Sequence, residues 1–449
     1  MRKKGLYFFI VVVIVLVVLY VWRYKQAQIF ENRVPANATS VVNVNLRQIE
    51  NHLLFDFLTN PITYLKSRKK KDSIKKPRTS LTKGISIPRN VLFYTNPTDL
   101  NSNWFSSIVD INDTEELFKF LLKEGFKKTE NEGVIFFSKA NFVLSIKGER
   151  LIIALKTNHK VPVNAAVVAL FSEKDYLTED AEILRPIVNS GSDICFSLGE
   201  DELNANFKEG LFELEGSLKS DLFLANENPI ADADGVISMS GQLNRNNAVF
   251  KQFLTDKKDK FNAFTHLSLD SIVDKWNGNF NMNITSIEQK TDTIVSYEYD
   301  DDFNKVEIKS TQEKSIPKLY LGLGQENTSV LSDYFYSKNA IQIIENDTVF
   351  TTIPIFKFLV TNAGDNFELR VNKRGNTSND ATKASKLNLY VDVEKYEHSP
   401  LDFPLNKDQE KLLKTIKTAK LDWATDNRFS MKINIKDVNR NFLGKLLKQ

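Results

Sequence analysis

The sequence predicts an α+β protein: an N-terminal transmembrane helix followed by two similar lobes of mainly antiparallel sheet covered by helices. Three observations predict it. An uncharged apolar run opens the chain, short runs of alternating apolar residues bounded by turn formers fill the remainder, and two of these runs pass straight from alternation into helical spacing. Those two are VNVNLRQIENHLL at 42–54 and MKINIKDVNRNFL at 431–443, which align without a gap and match at six apolar positions.

The first element is the anchor. Residues 5–22 carry no charge, and a helix of that length, at 1.5 Å per residue, nearly matches a hydrocarbon core of roughly 30 Å. A cleavable secretory signal has a shorter apolar stretch, about 7–15 residues, and ends in small residues. Here the run starts at Gly5, continues through Phe8, Val12 and Leu16, and closes on Tyr20 and Trp22, the interfacial aromatic residues of a retained span. Arg2, Lys3 and Lys4 before it outnumber Arg23 and Lys25 after it, which orients the N-terminus to the cytoplasm. Residues 1–26 therefore read as a cytoplasmic tip and anchor, with the body outside the cytosol.

The body is structured. A 449-residue chain that is 42% hydrophobic, with 32 Phe against 17 Gly and 12 Pro, has enough apolar mass for one large core or two to three ordinary ones, which argues against a largely disordered protein. Cys195, the single cysteine, sits in the apolar run DICFSL, so no intrachain disulfide forms and the thiol reads as a small buried hydrophobe. A large outward body without disulfides points to a bacterial envelope protein, single-pass in the inner membrane with its bulk in the periplasm.

Residues 1–25 hold five bases and no acid, leaving 55 bases against 57 acids in the rest. Within that near-neutral remainder, KSRKKKDSIKKPRTSLTK at 66–83 has nine bases and one acid. Lys69, Lys70, Lys71, Lys75 and Lys76 are candidates for contact with anionic head groups, which the anchor brings within reach. A solvated loop and a protein-partner site are the other readings. The run has no aromatic residue on which bases would stack and it lies outside the cytosol, so nucleic acid is excluded as a partner.

Along the body, SVVNVNL sets Val42, Val44 and Leu46 on one strand face, and Ile49, Leu53 and Phe57 continue at helical spacing. NVLFYT and WFSSIVDI are strands. DTEELFKFLLKEG is a helix, with Asp113 as its cap, Glu116 three residues on and Gly125 as its stop. GVIFFS and NFVLSIKGERLIIAL are strands, the latter a hairpin about Gly148. In this order the helices cover one face of an antiparallel sheet. After a helical stretch at 164–189 come DICFSL and GLFELEGSLKS, and the first lobe closes, spanning 34–230 with the basic loop at 66–83.

Near Asp234 the pattern restarts with GVISMSGQLNRNNAVFKQFL and opens a second lobe at 231–449. Its strands are NFNMNITSIEQ, TIVSYEYDDDFNKVEIKS turning at 300–302, KLYLGL and KLNLYVDVEKY. Asn406 opens a helix through Leu412, Leu413, Ile416 and Ala419. RFSMKINIKD then alternates Met431, Ile433 and Ile435 before a terminal helix with Val438, Phe442 and Leu446.

Chemistry-bearing motifs are sparse. His52, His159, His266 and His398 have no ligand-spaced neighbours. DADG at 232–235 has Ile230 where a calcium loop needs its first ligand, and it reads as a turn. No phosphate loop, nucleophile elbow or dinucleotide fingerprint is present. No catalytic, cofactor-binding or metal-binding residue is assigned.

RVPANATSVVNVNLRQIENHLLFDFL after the anchor, with a long α+β region closing on FSMKINIKDVNRNFLGKLL, resembles single-anchor envelope proteins of Bacteroidetes-type bacteria. The resemblance implies location and fold type and carries over no catalytic residue. Many relatives have a lipoprotein cysteine in place of the span, and this chain has none there. The expected role is a membrane-anchored extracytoplasmic binding or scaffolding protein, partnered by the membrane and by another envelope protein. The alternatives are a hydrolase-like envelope enzyme, with a site assembled between lobes around His159 or His266, and a lipid-binding carrier with a long apolar cavity.

Replacing Lys69, Lys70, Lys71, Lys75 and Lys76 with Ser lowers sedimentation of the body with anionic liposomes at low salt; unchanged sedimentation would remove the membrane-contact reading of this run.

Overall fold

The alternation of SVVNVN forms the first strand of the computed structural model, which describes residues 32–62, 84–95, 104–156, 163–226, 235–299, 303–353, 356–371, 384–397 and 406–446. The expected anchor at 5–22, with Gly5, Phe8, Val12, Leu16, Tyr20 and Trp22, lies outside the described residues, as does the basic run with Lys69, Lys70, Lys71, Lys75 and Lys76. Among the described residues, no helix is long and apolar enough to cross a membrane. The chain divides by its internal contacts into two α+β units, Met1–Lys208 and Glu209–Gln449.

The first unit runs β1 (Ser40–Asn45), α1 (Leu46–Thr59), β2 (Asn90–Thr95), β3 (Trp104–Asp110), α2 (Thr114–Lys123), β4 (Lys127–Asn131), β5 (Val134–Lys139), β6 (Phe142–Lys147), β7 (Arg150–Lys156), α3 (Asn164–Leu170), α4 (Arg185–Asn189), β8 (Ile194–Leu198) and β9 (Asp201–Lys208). Its antiparallel pairings give the order β9, β8, β1, β2, β3, β7, β6, β5, β4. Local chemistry sets the ends of α2: the Asp113 carboxylate accepts the Glu116 N–H at 3.0 Å, and Gly125 takes φ 82° beyond the last turn.

Register sorts alternate residues onto two faces of this sheet. Ile108, Ile152, Val143 and Phe136 share a core with Val167 and Leu170 of α3 and Ile187 of α4. Val109, Leu151, Leu144 and Phe137 share another with Leu117 and Leu121 of α2. Helices therefore cover both faces, where the sequence suggested one. The apolar residues of VIFFSK and FVLSIK fall at successive positions, as strands buried on both sides require. On β1 the deeper face is Val41, Asn43 and Asn45 and not Val42 and Val44, because Leu92 and Cys195, both buried, flank Asn43 in the neighbouring strands.

The second unit runs β10 (Leu211–Ser217), β11 (Phe223–Leu224), β12 (Ile237–Leu243), α5 (Ala248–Thr265), α6 (Leu269–Lys275), β13 (Trp276–Tyr299), β14 (Lys305–Gln325), α7 (Val330–Ser337), β15 (Ile341–Ile344), β16 (Asp347–Phe350), β17 (Phe358–Ala363), β18 (Asn366–Arg370), β19 (Ser385–Asp392), α8 (Val393–Glu397), α9 (Lys407–Thr415), β20 (Ile416–Ala424), β21 (Arg428–Ile435) and α10 (Phe442–Leu446). Its antiparallel order is β10, β21, β20, β19, β12, β13, β14, β18, β17, β16, β15, with β11 against the end of β12. Leu331, Tyr334 and Phe335 of α7 pack with Phe350, Phe367 and Leu369.

From β12 to β20 this order repeats that of the first unit strand for strand. β12 stands for β1, β13 for β2, β14 for β3, β15 to β18 for β4 to β7, and β19 with β20 for β8 with β9. The counterpart of 42–54 is thus the restart after residue 234. Met431, Ile433 and Ile435 lie in β21, between β20 and β10, so the match between the two ends of the chain is shared local patterning. That pairing also places the division at Lys208, ahead of the expected 230/231 boundary, since β10 bonds along its whole length to β21.

Two further expectations change. Helix α9 stops at Thr415; Ile416 and Ala419 pair with Ile435 and Ile433 in β20, where β-branched Ile416 and Thr418 suit a strand. The separate strands expected at 279–325 fuse into one hairpin, β13–β14, whose outer halves 287–299 and 305–317 pair, among the described residues, with each other alone.

Gly278 sits in the bulge of β13 at φ 94°, and a Cβ there would collide with the Leu243 carbonyl oxygen. Gly278→Ala therefore costs roughly 2–4 kcal/mol. Gly125→Ala, at φ 82° with open space around it, costs about 1 kcal/mol. Chemical denaturation of the two variants measures the contrast.

Candidate functional site

Helix α1 starts where β1 ends, so the strand fixes its position. Asn45 is the last strand residue and the N-cap: its side chain accepts the Gln48 N–H at 3.1 Å, and its own N–H donates to the Asp193 carbonyl at 2.8 Å. At the other end the Asn60 side-chain amide donates to the Asp56 carboxylate at 3.1 Å.

His52, Asp56 and Asn60 recur every four residues and form one stripe of the helix. That stripe faces the body. Asp56 is buried, and His52 Nε2 lies 3.3 Å from Oδ1 of Asp193, a fully buried carboxylate whose Oδ2 accepts the Phe207 N–H at 2.6 Å. On the opposite side Leu54, Phe55 and Leu58 are 46%, 57% and 64% exposed, and Ile62, just past the C-cap, is 64% exposed. A core-facing helix has the reverse arrangement. Ile49 and Leu53, expected inward, are half-buried, and Phe57 is exposed.

The counterpart helix α5 repeats the pattern within its own unit. Asn247 caps it by accepting the Val249 N–H at 2.8 Å, and Val249, Phe253 and Phe264 are 68%, 53% and 70% exposed. At 100° per residue, Lys257 and Lys260 fall on the same stripe, and both are exposed.

A concavity of about 430 Å³ lies in the second unit, lined by residues of β16, β17 and β18. Its polar groups are joined to one another. Glu368 accepts from Arg370 Nη2 at 2.7 Å and from Thr361 Oγ1 at 3.0 Å, and the Tyr320 hydroxyl donates to its other oxygen at 3.3 Å. Burial, then the neighbouring Glu368 charge, pushes the Tyr320 phenol up to about 12. Such a surface suits recognition of a polar ligand more than proton transfer near neutrality.

Among the described residues, those singled out from the sequence do not meet. The anchor residues and the five lysines lie outside the described residues, as do His159 and His398. His266 is exposed and ends α5 in the left-handed region at φ 56°. Burial pushes the Cys195 thiol up to about 11, so it stays neutral in the core. Glu115 and Glu116 pair with Lys119 on the first turn of α2. Among the described residues no group of three or more His, Cys, Asp or Glu is arranged to hold a metal. Sequence reasoning missed the His52–Asp193 contact, whose partners are far apart in the chain; the four-residue spacing of His52, Asp56 and Asn60 was its one local signal.

No family model and no curated protein matches this chain. Among solved structures it is similar to TP0453, a Treponema protein. Crystal form I is 10% identical, covering 78% of this chain and 94% of that one at a TM-score of 0.22. Form III gives 10%, 77%, 94% and 0.23, and form IV 9%, 74%, 87% and 0.22. At such TM-scores the likeness assigns neither fold nor function.

Burial raises the Asp193 carboxyl above the usual range, against the opposing Phe207 N–H and His52. The folded state then holds this proton more tightly than the unfolded chain, so stability falls as pH rises from the ordinary carboxylate value through the raised one. Asp193→Asn keeps an acceptor for Phe207 and removes the buried charge. It flattens that slope and raises stability at neutral pH, measured by thermal unfolding across pH.

Proposed function

We propose that this chain is a membrane-anchored binding or scaffolding protein of the bacterial cell envelope, held in the inner membrane by residues 5–22 with its body in the periplasm. The observation that carries the binding role is the outward apolar side of α1. Fully burying a Leu, Ile or Phe side chain is worth about 1.5–3 kcal/mol, and this helix forgoes that gain on one side while burying Asp56 on the other. A contiguous exposed patch of this kind marks an interaction surface.

The uncharged run at 5–22 and the single buried cysteine support the location. The resemblance to single-anchor envelope proteins points the same way. A hydrolase-like activity has less behind it. Glu368 and Arg370 satisfy each other, and Asp193, the partner of His52, is fully buried. The concavity fits a secondary polar ligand better than an apolar carrier's cavity.

Alkaline washing and protease shaving of spheroplasts test the reading. The chain stays with the inner membrane after the wash, and an epitope inserted at Gly199 is digested from the outer side. Release by the wash, protection of that epitope, or a mature N-terminus beyond Tyr24 would overturn it.

A further inference from the structure

We infer that the outward side of α1, formed by Leu54, Phe55 and Leu58 with Ile62 beyond the C-cap, seats in the head-group region of an anionic lipid bilayer. The inference rests on the anchored reading above and names the partner of its binding surface.

The helix presents one side only. Asn45 ties its start to the Asp193 backbone, His52 ties its middle to the Asp193 carboxylate, and Asp56 is buried, so α1 cannot roll its leucines inward without breaking those contacts. An apolar stripe backed by a fixed polar stripe is the arrangement of a helix that lies in a bilayer interface, its apolar side about 5–10 Å into the head-group boundary.

Reach and charge favour lipid over a protein surface. The chain between Trp22 and Ser40 spans at most about 65 Å when extended, so the start of β1 lies within that reach of any membrane the run at 5–22 crosses. The residues that follow α1 in sequence include nine bases and one acid at 66–83, and each base near an anionic leaflet is worth about fivefold in partition.

Helix α5 repeats the arrangement independently: exposed Phe253 and Phe264 flank Lys257 and Lys260 on one stripe. Lysines set among apolar residues suit an interface where the stems lie along acyl carbons and the ammonium groups reach phosphates.

The test uses the full chain with Cys195→Ser and Leu58→Cys, carrying a polarity-sensitive fluorophore and reconstituted in nanodiscs. Glu130→Cys, exposed on edge strand β4, is the control label. In discs of phosphatidylglycerol and phosphatidylcholine, the Leu58 label shifts to the blue and is quenched by lipid-borne quencher severalfold more than the Glu130 label. The difference shrinks in pure phosphatidylcholine and at about 1 M salt, where the Debye length is about 3 Å. A solvent-like Leu58 label in chains that elute with the discs overturns this inference and leaves the anchor standing. Chains that never enter the discs overturn the anchored reading and this inference with it. A blue-shifted label that lipid quencher does not reach, or self-quenching that grows with chains per disc, means that the chain itself or a second copy covers α1, and overturns it too.

Discussion

Strand β1 is paired on both edges, and the rest of the first unit is arranged around that constraint. β2 takes one edge and β8, from the far end of the unit, takes the other. Because β8 follows directly on Asp193, the pairing brings the Asp193 carbonyl to the Asn45 N–H and the Asp193 carboxylate to His52. A helix that begins at the end of β1 is therefore held in both position and roll by groups more than a hundred residues away. The outward display of Leu54, Phe55 and Leu58 is a consequence of that closure. Loop-closure entropy opposes such non-local pairing, so the polar contacts and the shared core around Val41, Leu92 and Cys195 have to offset it together.

The polar contacts behind α1 are not the most stable solution available to the fold. A buried carboxylate with a raised pKa and a helix with exposed leucines each give up free energy that an ordinary amphipathic helix would keep. Local rules broken in this way are expected at surfaces that serve a partner. The second unit points to the same conclusion, since the helix in the equivalent place, α5, also turns aromatic residues to solvent while α7 buries Tyr334 and Phe335 in the ordinary manner.

The repeated strand order also explains why the chain carries echoes of itself. Two units with the same strand connectivity need the same strand-to-helix passage at the same place, and 235–254 provides it for the second unit as 42–54 does for the first. The closing segment resembles them because a strand paired on both sides and followed by a short helix has similar periodicity, with Ile435 and Phe442 buried. Thirteen residues of pattern carry strand and helix periods but not the partner of the strand.

What the sequence determined by itself was local or compositional. The Asp113 cap and the Gly125 stop of α2, the hairpin at Gly148, the burial of Cys195 and the α+β class follow from interactions within a few residues or from patterning, and each was legible before any pairing was known. Only the tertiary structure decided which face of β1 is deeper, that helices cover both faces of the first sheet, where α9 yields to β20, and that His52 meets Asp193. Those outcomes depend on which distant strand occupies each edge, and because a strand has two faces and a helix can roll, periodicity names the candidate sides without choosing the buried one.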